Sequence, residues 1–124
     1  MEKPHKKLNV WQKAVDLSVD TYRITESFPK SELFGLVSQM RRAAVSVPAN
    51  IAEGAARTGA KDQLHFLSIA RASLSELDTH LEIALRIKFV SGTDAQLVSS
   101  LMTDVDRLLY GYMKAVRKGS EVAR

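Results

Sequence analysis

Three histidines, at positions 5, 65 and 80, are the side chains best suited to proton transfer or metal binding at neutral pH. None stands in an H-E-x-x-H arrangement, and the paired Glu-x-x-His signature of di-metal helix bundles is missing. Glu76 lies four residues before His80, the spacing of a salt link along one helix face, and that reading outweighs a metal site. The absence of cysteine excludes thiol catalysis, disulfides and thiolate zinc sites. Gly54-Ala55-Ala56-Arg57-Thr58-Gly59 bears loop glycines, but two alanines and no following strand do not make a phosphate cradle. These residues predict a protein that is not an enzyme and that takes no metal and no cofactor.

The chemistry that remains is that of cations. Eighteen Lys and Arg against fourteen Asp and Glu give a net charge of +4 and a pI near 9.5, a mild lean toward polyanions. The bases fall at Lys3, Lys6, Lys7 and Lys13 near the start, at Arg41, Arg42, Arg57 and Lys61 along the middle, and at Lys114, Arg117 and Lys118 at the end, with acids interspersed. No zinc-finger, RRM or KH signature accompanies them, and a helix-turn-helix would need a much shorter pair of helices. Self-association would raise any polyanion affinity, because n copies carry n times the charge on one particle.

These cations must be positioned by helices. Hydrophobic residues at 45% and charged residues at 26% are ordinary globular values, and 124 residues suffice for one domain, 1–124, with one core. No apolar run approaches the ~18 residues of a membrane span, and Met1 to Lys7 leads into an amphipathic segment without a signal-peptide core. A cytoplasmic protein with no membrane contact is expected. Strand signals are nearly absent. Turn residues cluster at Ser27-Phe28-Pro29-Lys30-Ser31, at Gly54 through Gly59 and at Ser91-Gly92-Thr93, leaving helices at about 9–27, 31–57, 60–89 and 94–118. Short connections favour antiparallel neighbours, hence an all-α, antiparallel up-down four-helix bundle.

Helix 1 carries two apolar stripes. Leu8, Trp11, Val15, Val19 and Tyr22 are expected to face the core, and Val10, Leu17, Ile24 and Phe28, about half a turn away, to form a subunit interface. Helix 2 is expected to bury Leu33, Leu36, Val37, Met40, Ala44, Val47 and Ile51 and to bend near Val47, since Pro48 gives the carbonyl of Ala44 no amide donor. Its alanines allow a close neighbour, and Arg42, Ser46, Asn50, Glu53 and Arg57 form a polar stripe away from the core. Helix 3 has a seam from Phe66 and Leu67 through Ala70, Leu74, Leu77 and Leu81 to Ala84 and Leu85. In its second line, Ile69, Glu76 and Ile83, the carboxylate calls for a partner, with Arg41 or Arg42 as candidates. Helix 4 opens on the capping box Thr93-Asp94-Ala95-Gln96, turns Leu97, Val98, Leu101, Val105, Leu108, Leu109, Tyr112 and Val116 inward, and stops at Gly119.

Leu8-Asn9-Val10-Trp11-Gln12-Lys13-Ala14, Phe28-Pro29-Lys30-Ser31-Glu32, Gly35-Leu36, and the long block from Ser38-Gln39-Met40-Arg41-Arg42 through Val47-Pro48-Ala49-Asn50-Ile51-Ala52-Glu53-Gly54 resemble the four-helix-bundle proteins encoded in intervening sequences of bacterial 23S rRNA genes. Phe66-Leu67-Ser68-Ile69-Ala70-Arg71-Ala72-Ser73-Leu74-Ser75-Glu76-Leu77 looks like the second signature of that family. The resemblance spans about residues 8 to 89 and departs from the family pattern at Gly59, where a serine is common, and at Ala72, where glycine is frequent. It implies a left-handed bundle that assembles as a homopentamer around a central channel. It also implies kinship with the basic, pentameric accessory protein of diversity-generating retroelements, which associates with nucleic acid and with a reverse transcriptase.

Two functions compete on this reading. One is an RNA-associated homo-oligomer that touches phosphates through Arg41, Arg42, Arg57, Lys61 and Arg71, with Asn50, Glu53 and Glu76 as structural polar residues. Against the phosphate role of Arg41 and Arg42 stands a structural one, pairing with Glu53 or Glu76 across helices. The other function is an oligomeric scaffold for a nucleic-acid-processing protein, without touching RNA itself.

Overall fold

Val10, Ala14, Leu17, Thr21 and Ile24 recur at steps of four and three, and this seam, all of it buried, faces the interior of the first helix. The computed structural model describes residues 3–123 and contains four helices: α1 (Asn9–Thr25), α2 (Leu36–Ala56), α3 (Ala60–Arg86) and α4 (Gly92–Ala123). Short 3-10 turns occupy Pro4–Lys7 and Lys30–Glu32. The helices run antiparallel to their sequence neighbours, α4 returns to lie beside α1, and among the described residues the backbones of the diagonal pairs α1–α3 and α2–α4 do not adjoin. One cluster of buried side chains, from Val10 through Met40, Leu67 and Leu77 to Met113, fills the space between them.

The expected orientation of α1 is reversed. Val10, Leu17, Ile24 and Phe28 belong to the core of the chain itself, and Phe28 packs against Phe89 with ring centroids 5.6 Å apart and planes tilted by 58°. Val19 is 62% exposed, Tyr22 also faces outward, and Leu8, Trp11 and Val15 are only half-buried. The physical reason lies in the partner helix: α2 comes close enough to α1 for Ser18 Oγ to reach a backbone oxygen of α2, so that side of α1 holds Ala14, Ser18 and Thr21 instead of its bulkiest residues. The hydroxyl of Thr21 donates to the Leu17 carbonyl at 2.8 Å, which lets it be buried.

The helix limits differ from expectation at several ends. α2 begins at Leu36, and Leu33 lies exposed before it. Glu32 caps this start by accepting a hydrogen bond from the Leu36 amide at 3.2 Å. Ser91, not Thr93, is the cap of α4: its Oγ accepts the Asp94 amide at 3.1 Å. Gly119 does not stop α4, which continues to Ala123. Leu97 of α4 faces solvent, as do Ile69 and Ile83 of α3 and Ile87 just after it. α3 ends at Arg86 in a Schellman turn, where the Phe89 amide bonds the Ala84 carbonyl at 2.9 Å, the Lys88 amide bonds that of Leu85 at 3.1 Å, and Lys88 adopts a left-handed φ of 67°.

Pro48 sits within a continuous α2, and the carbonyl it deprives of a donor is served from outside the helix. Ser18 Oγ donates to the Ala44 oxygen at 2.8 Å, with the Ala14 carbonyl as a second acceptor at 3.1 Å. The most extensive helix contact, between α2 and α3, rests on small residues: at Gly54 an added Cβ would lie 3.1 Å from the Gln63 carbonyl oxygen and from Leu67 Cδ2.

Candidate functional site

The five cations expected to touch phosphate stand in three places. Arg41 is half-buried between α1 and α2; its guanidinium lies 4.5 Å over the Tyr22 ring and its Nε donates to Thr25 Oγ1 at 3.0 Å. Arg42 is exposed beside it and lines a groove of about 620 Å³ with Leu33, Phe34 and Val45. Arg71 bridges α3 to α4 through Asp106 at 3.0 Å and lies 5.4 Å over Tyr110. Arg57 pairs with Glu53 at 3.1 Å and covers Phe66 at 4.7 Å, while Lys61 projects from the first turn of α3. Arg41 and Arg42 share one location and Arg57 and Lys61 another, while Arg71 stands apart.

The polar residues expected to be structural fare differently from one another. Asn50 and Ser46 are half-buried against α3, not on an outer face: Asn50 Nδ2 donates to Ser46 Oγ at 2.9 Å, and Ser46 Oγ lies 2.8 Å from Ser73 Oγ. Ser73 in turn reaches the Ile69 carbonyl at 3.0 Å, so the chain of bonds is closed. Among the described residues Glu53 pairs with Arg57 alone. Glu76 is exposed and meets neither Arg41 nor Arg42; its neighbour is His80 Nε2 at 4.0 Å. His80 itself is buried, and its Nδ1 has no hydrogen-bond partner among the described residues. Burial pushes the Tyr112 phenol up. Among the described residues no three metal-ligating side chains cluster, and no helix is long and apolar enough to cross a membrane.

Two surface features emerge that the sequence did not mark as sites. The first is apolar. Val15, Val19, Tyr22 and Val45 frame a groove of about 310 Å³ between α1 and α2, and Leu33 and Phe34 extend the same face, with Phe34 94% exposed.

The second is electrostatic and follows from topology. The pairs Arg71–Asp106, Ser46–Ser73 and Gly54 against Gln63 fix the antiparallel register, and the Arg23–Asp94 pair at 3.3 Å ties the opposite ends of α1 and α4. The start of α1, the end of α2, the start of α3 and the end of α4 therefore share one pole, against which the Pro4–Lys7 turn packs. Over residues 3–16, 53–62 and 114–118, that pole holds Lys3, Lys6, Lys7, Lys13, Arg57, Lys61, Lys114, Arg117 and Lys118 against Asp16, Glu53 and Asp62, nine bases to three acids. The other pole, residues 20–45 and 75–95, has six bases to seven acids. Each of the nine bases is exposed, and among the described residues only Arg57 is in an ion pair. The signal was present in the sequence as three separate basic stretches; the up-down topology stacks them.

Comparison with known proteins agrees with this architecture. The family model described as 23S rRNA-intervening sequence protein matches residues 6–111. No curated protein matches the chain. Among solved structures, the chain is similar to a protein of unknown function from the S23 ribosomal protein family of Bacteroides thetaiotaomicron. The TM-score is 0.76 and the identity 22%, over 85% of this chain and 98% of that one.

Proposed function

The chain belongs to the 23S rRNA-intervening sequence protein family, and from that premise we propose that it is a self-associating, non-catalytic protein that holds RNA through exposed cations including Arg57 and Lys61. The apolar face on α1 and α2 carries the proposal. Phe34 projects almost fully into solvent from a groove that shares Tyr22 and Val45 with the apolar groove between α1 and α2, an arrangement costly for a lone chain and suited to docking. An apolar cavity of about 150 Å³ holds benzene, so a groove of about 310 Å³ has room for an apolar side chain of another copy. A second apolar surface, Ile69 and Ile83 with Ile87 just past the helix end, lies along α3, which is diagonal to α1. Two different patches meeting head to tail generate a ring, and the family resemblance implies five subunits. Arg41 and Arg42 flank the docking face in this reading, and Arg71 braces α3 against α4.

Light scattering on the purified protein tests it. A particle of five times the 13.7 kDa chain mass is expected, and Phe34→Asp or Val19→Asp should release helical monomers. A wild-type monomer at tens of micromolar would overturn self-association and give the face to another protein, which is the scaffold reading.

A further inference from the structure

We propose that the basic pole binds the phosphate backbone of double-stranded nucleic acid, with no reading of bases. The inference rests on the nucleic-acid reading above and adds where the ligand sits and in what form. The net charge of +4 conceals an excess of six positive charges over residues 3–16, 53–62 and 114–118 at one end of the bundle and an excess of one negative charge over residues 20–45 and 75–95 at the other. The excess is spread over four chain segments, the 3-10 turn with the start of α1 and the facing ends of α2, α3 and α4, so it presents a broad surface rather than one helix stripe. Its lysines are exposed and unpaired among the described residues, the state in which a cation can replace the counterions of a phosphate.

The aromatic residues at this pole argue against a single strand. Single-stranded sites present aromatic faces on which bases stack. Here the Trp11 ring meets His5 at 5.0 Å, and Phe66 is held between Arg57 at 4.7 Å and His65 at 5.2 Å. Both rings are already engaged within the chain. No groove-reading helix projects from the pole either, since all four helices end or begin there. Backbone contact is what remains.

Fluorescence anisotropy across a salt series, with a short RNA duplex, the DNA duplex of the same sequence and the corresponding single strand, tests the assignment. Wild-type protein should bind the duplexes more tightly than the single strand. Lys7→Gln, Lys61→Gln and Lys118→Gln combined should weaken duplex binding roughly tenfold or more and reduce the log–log salt slope by about 2 to 3. Lys30→Gln, Arg86→Gln and Lys88→Gln combined, at the other pole, should change neither. Equal losses from both triple variants, or a preference for the single strand, would overturn the pole assignment and leave the nucleic-acid reading standing. No binding by the assembled wild type at low salt would overturn both. The RNA and DNA arms separate the two sources of the same phosphate chemistry.

Discussion

At the scale of the residue, one hydroxyl decides how Pro48 is accommodated inside α2. A proline there removes the amide that the Ala44 carbonyl would accept, and this carbonyl belongs to a wholly buried residue. Ser18 of α1 supplies the missing donor at 2.8 Å. Ser18→Ala should therefore cost about 1–3 kcal/mol, the penalty of a buried acceptor left unsatisfied. Pro48→Ala restores a backbone amide four residues after Ala44, so in that background the same serine change should cost much less. Urea unfolding of the two single variants and the double variant measures the coupling, and strict additivity would show that the Ser18 bond does not serve the gap left by proline. Sequence alone showed that the Ala44 carbonyl loses its donor. It did not show the replacement, because Ser18 lies 26 residues away on another helix.

Two glycines separate local preference from packing at the scale of the element. Both lie inside helices, where alanine is favoured by roughly 0.5–1 kcal/mol. At Gly111 of α4 nothing lies within 4 Å of an added Cβ, so Gly111→Ala should stabilise by about that amount. At Gly54 the new methyl would press on the Gln63 backbone and on Leu67, and Gly54→Ala should instead destabilise by about 1–3 kcal/mol. Thermal melts of the two variants should move in opposite directions; a gain at Gly54 would mean that α2 and α3 can separate freely. The same contest between pattern and packing explains what the sequence revealed of the fold. The α3 seam from Leu67 to Ala84 was legible because its inward positions are mostly leucine and alanine at regular spacing. α1 was misread because both of its stripes have helical spacing, and the larger side chains lie on the outer one. Size is a poor guide where a neighbouring backbone comes close, and only the position of α2 settles which stripe is inside.

At the scale of the molecule, the apolar face and the basic pole are separate surfaces, and their separation has a measurable consequence. Phe34 lies just before the start of α2, at the pole opposite the nine bases, so breaking assembly there leaves each chain's cationic surface in place. A duplex long enough to touch several poles of one ring gains from effective concentration, whereas a duplex of one footprint does not. Phe34→Asp should then weaken binding to a long RNA duplex by about 10² or more while changing affinity for a short one little. Its salt slope on the short duplex should match that of the wild type, because the contacts per chain are the same. Anisotropy with the short duplex and gel shifts with the long one distinguish the cases. Equal weakening on both lengths would mean that the phosphate surface is built only when copies join, and the single-chain pole would then be an incomplete site. This division was only half visible in the sequence. The cations could be counted there, but gathering Lys7, Lys61 and Lys118 at one end needs the antiparallel order of four helices, and Phe34 gives no hint of exposure until α2 is seen to start after it.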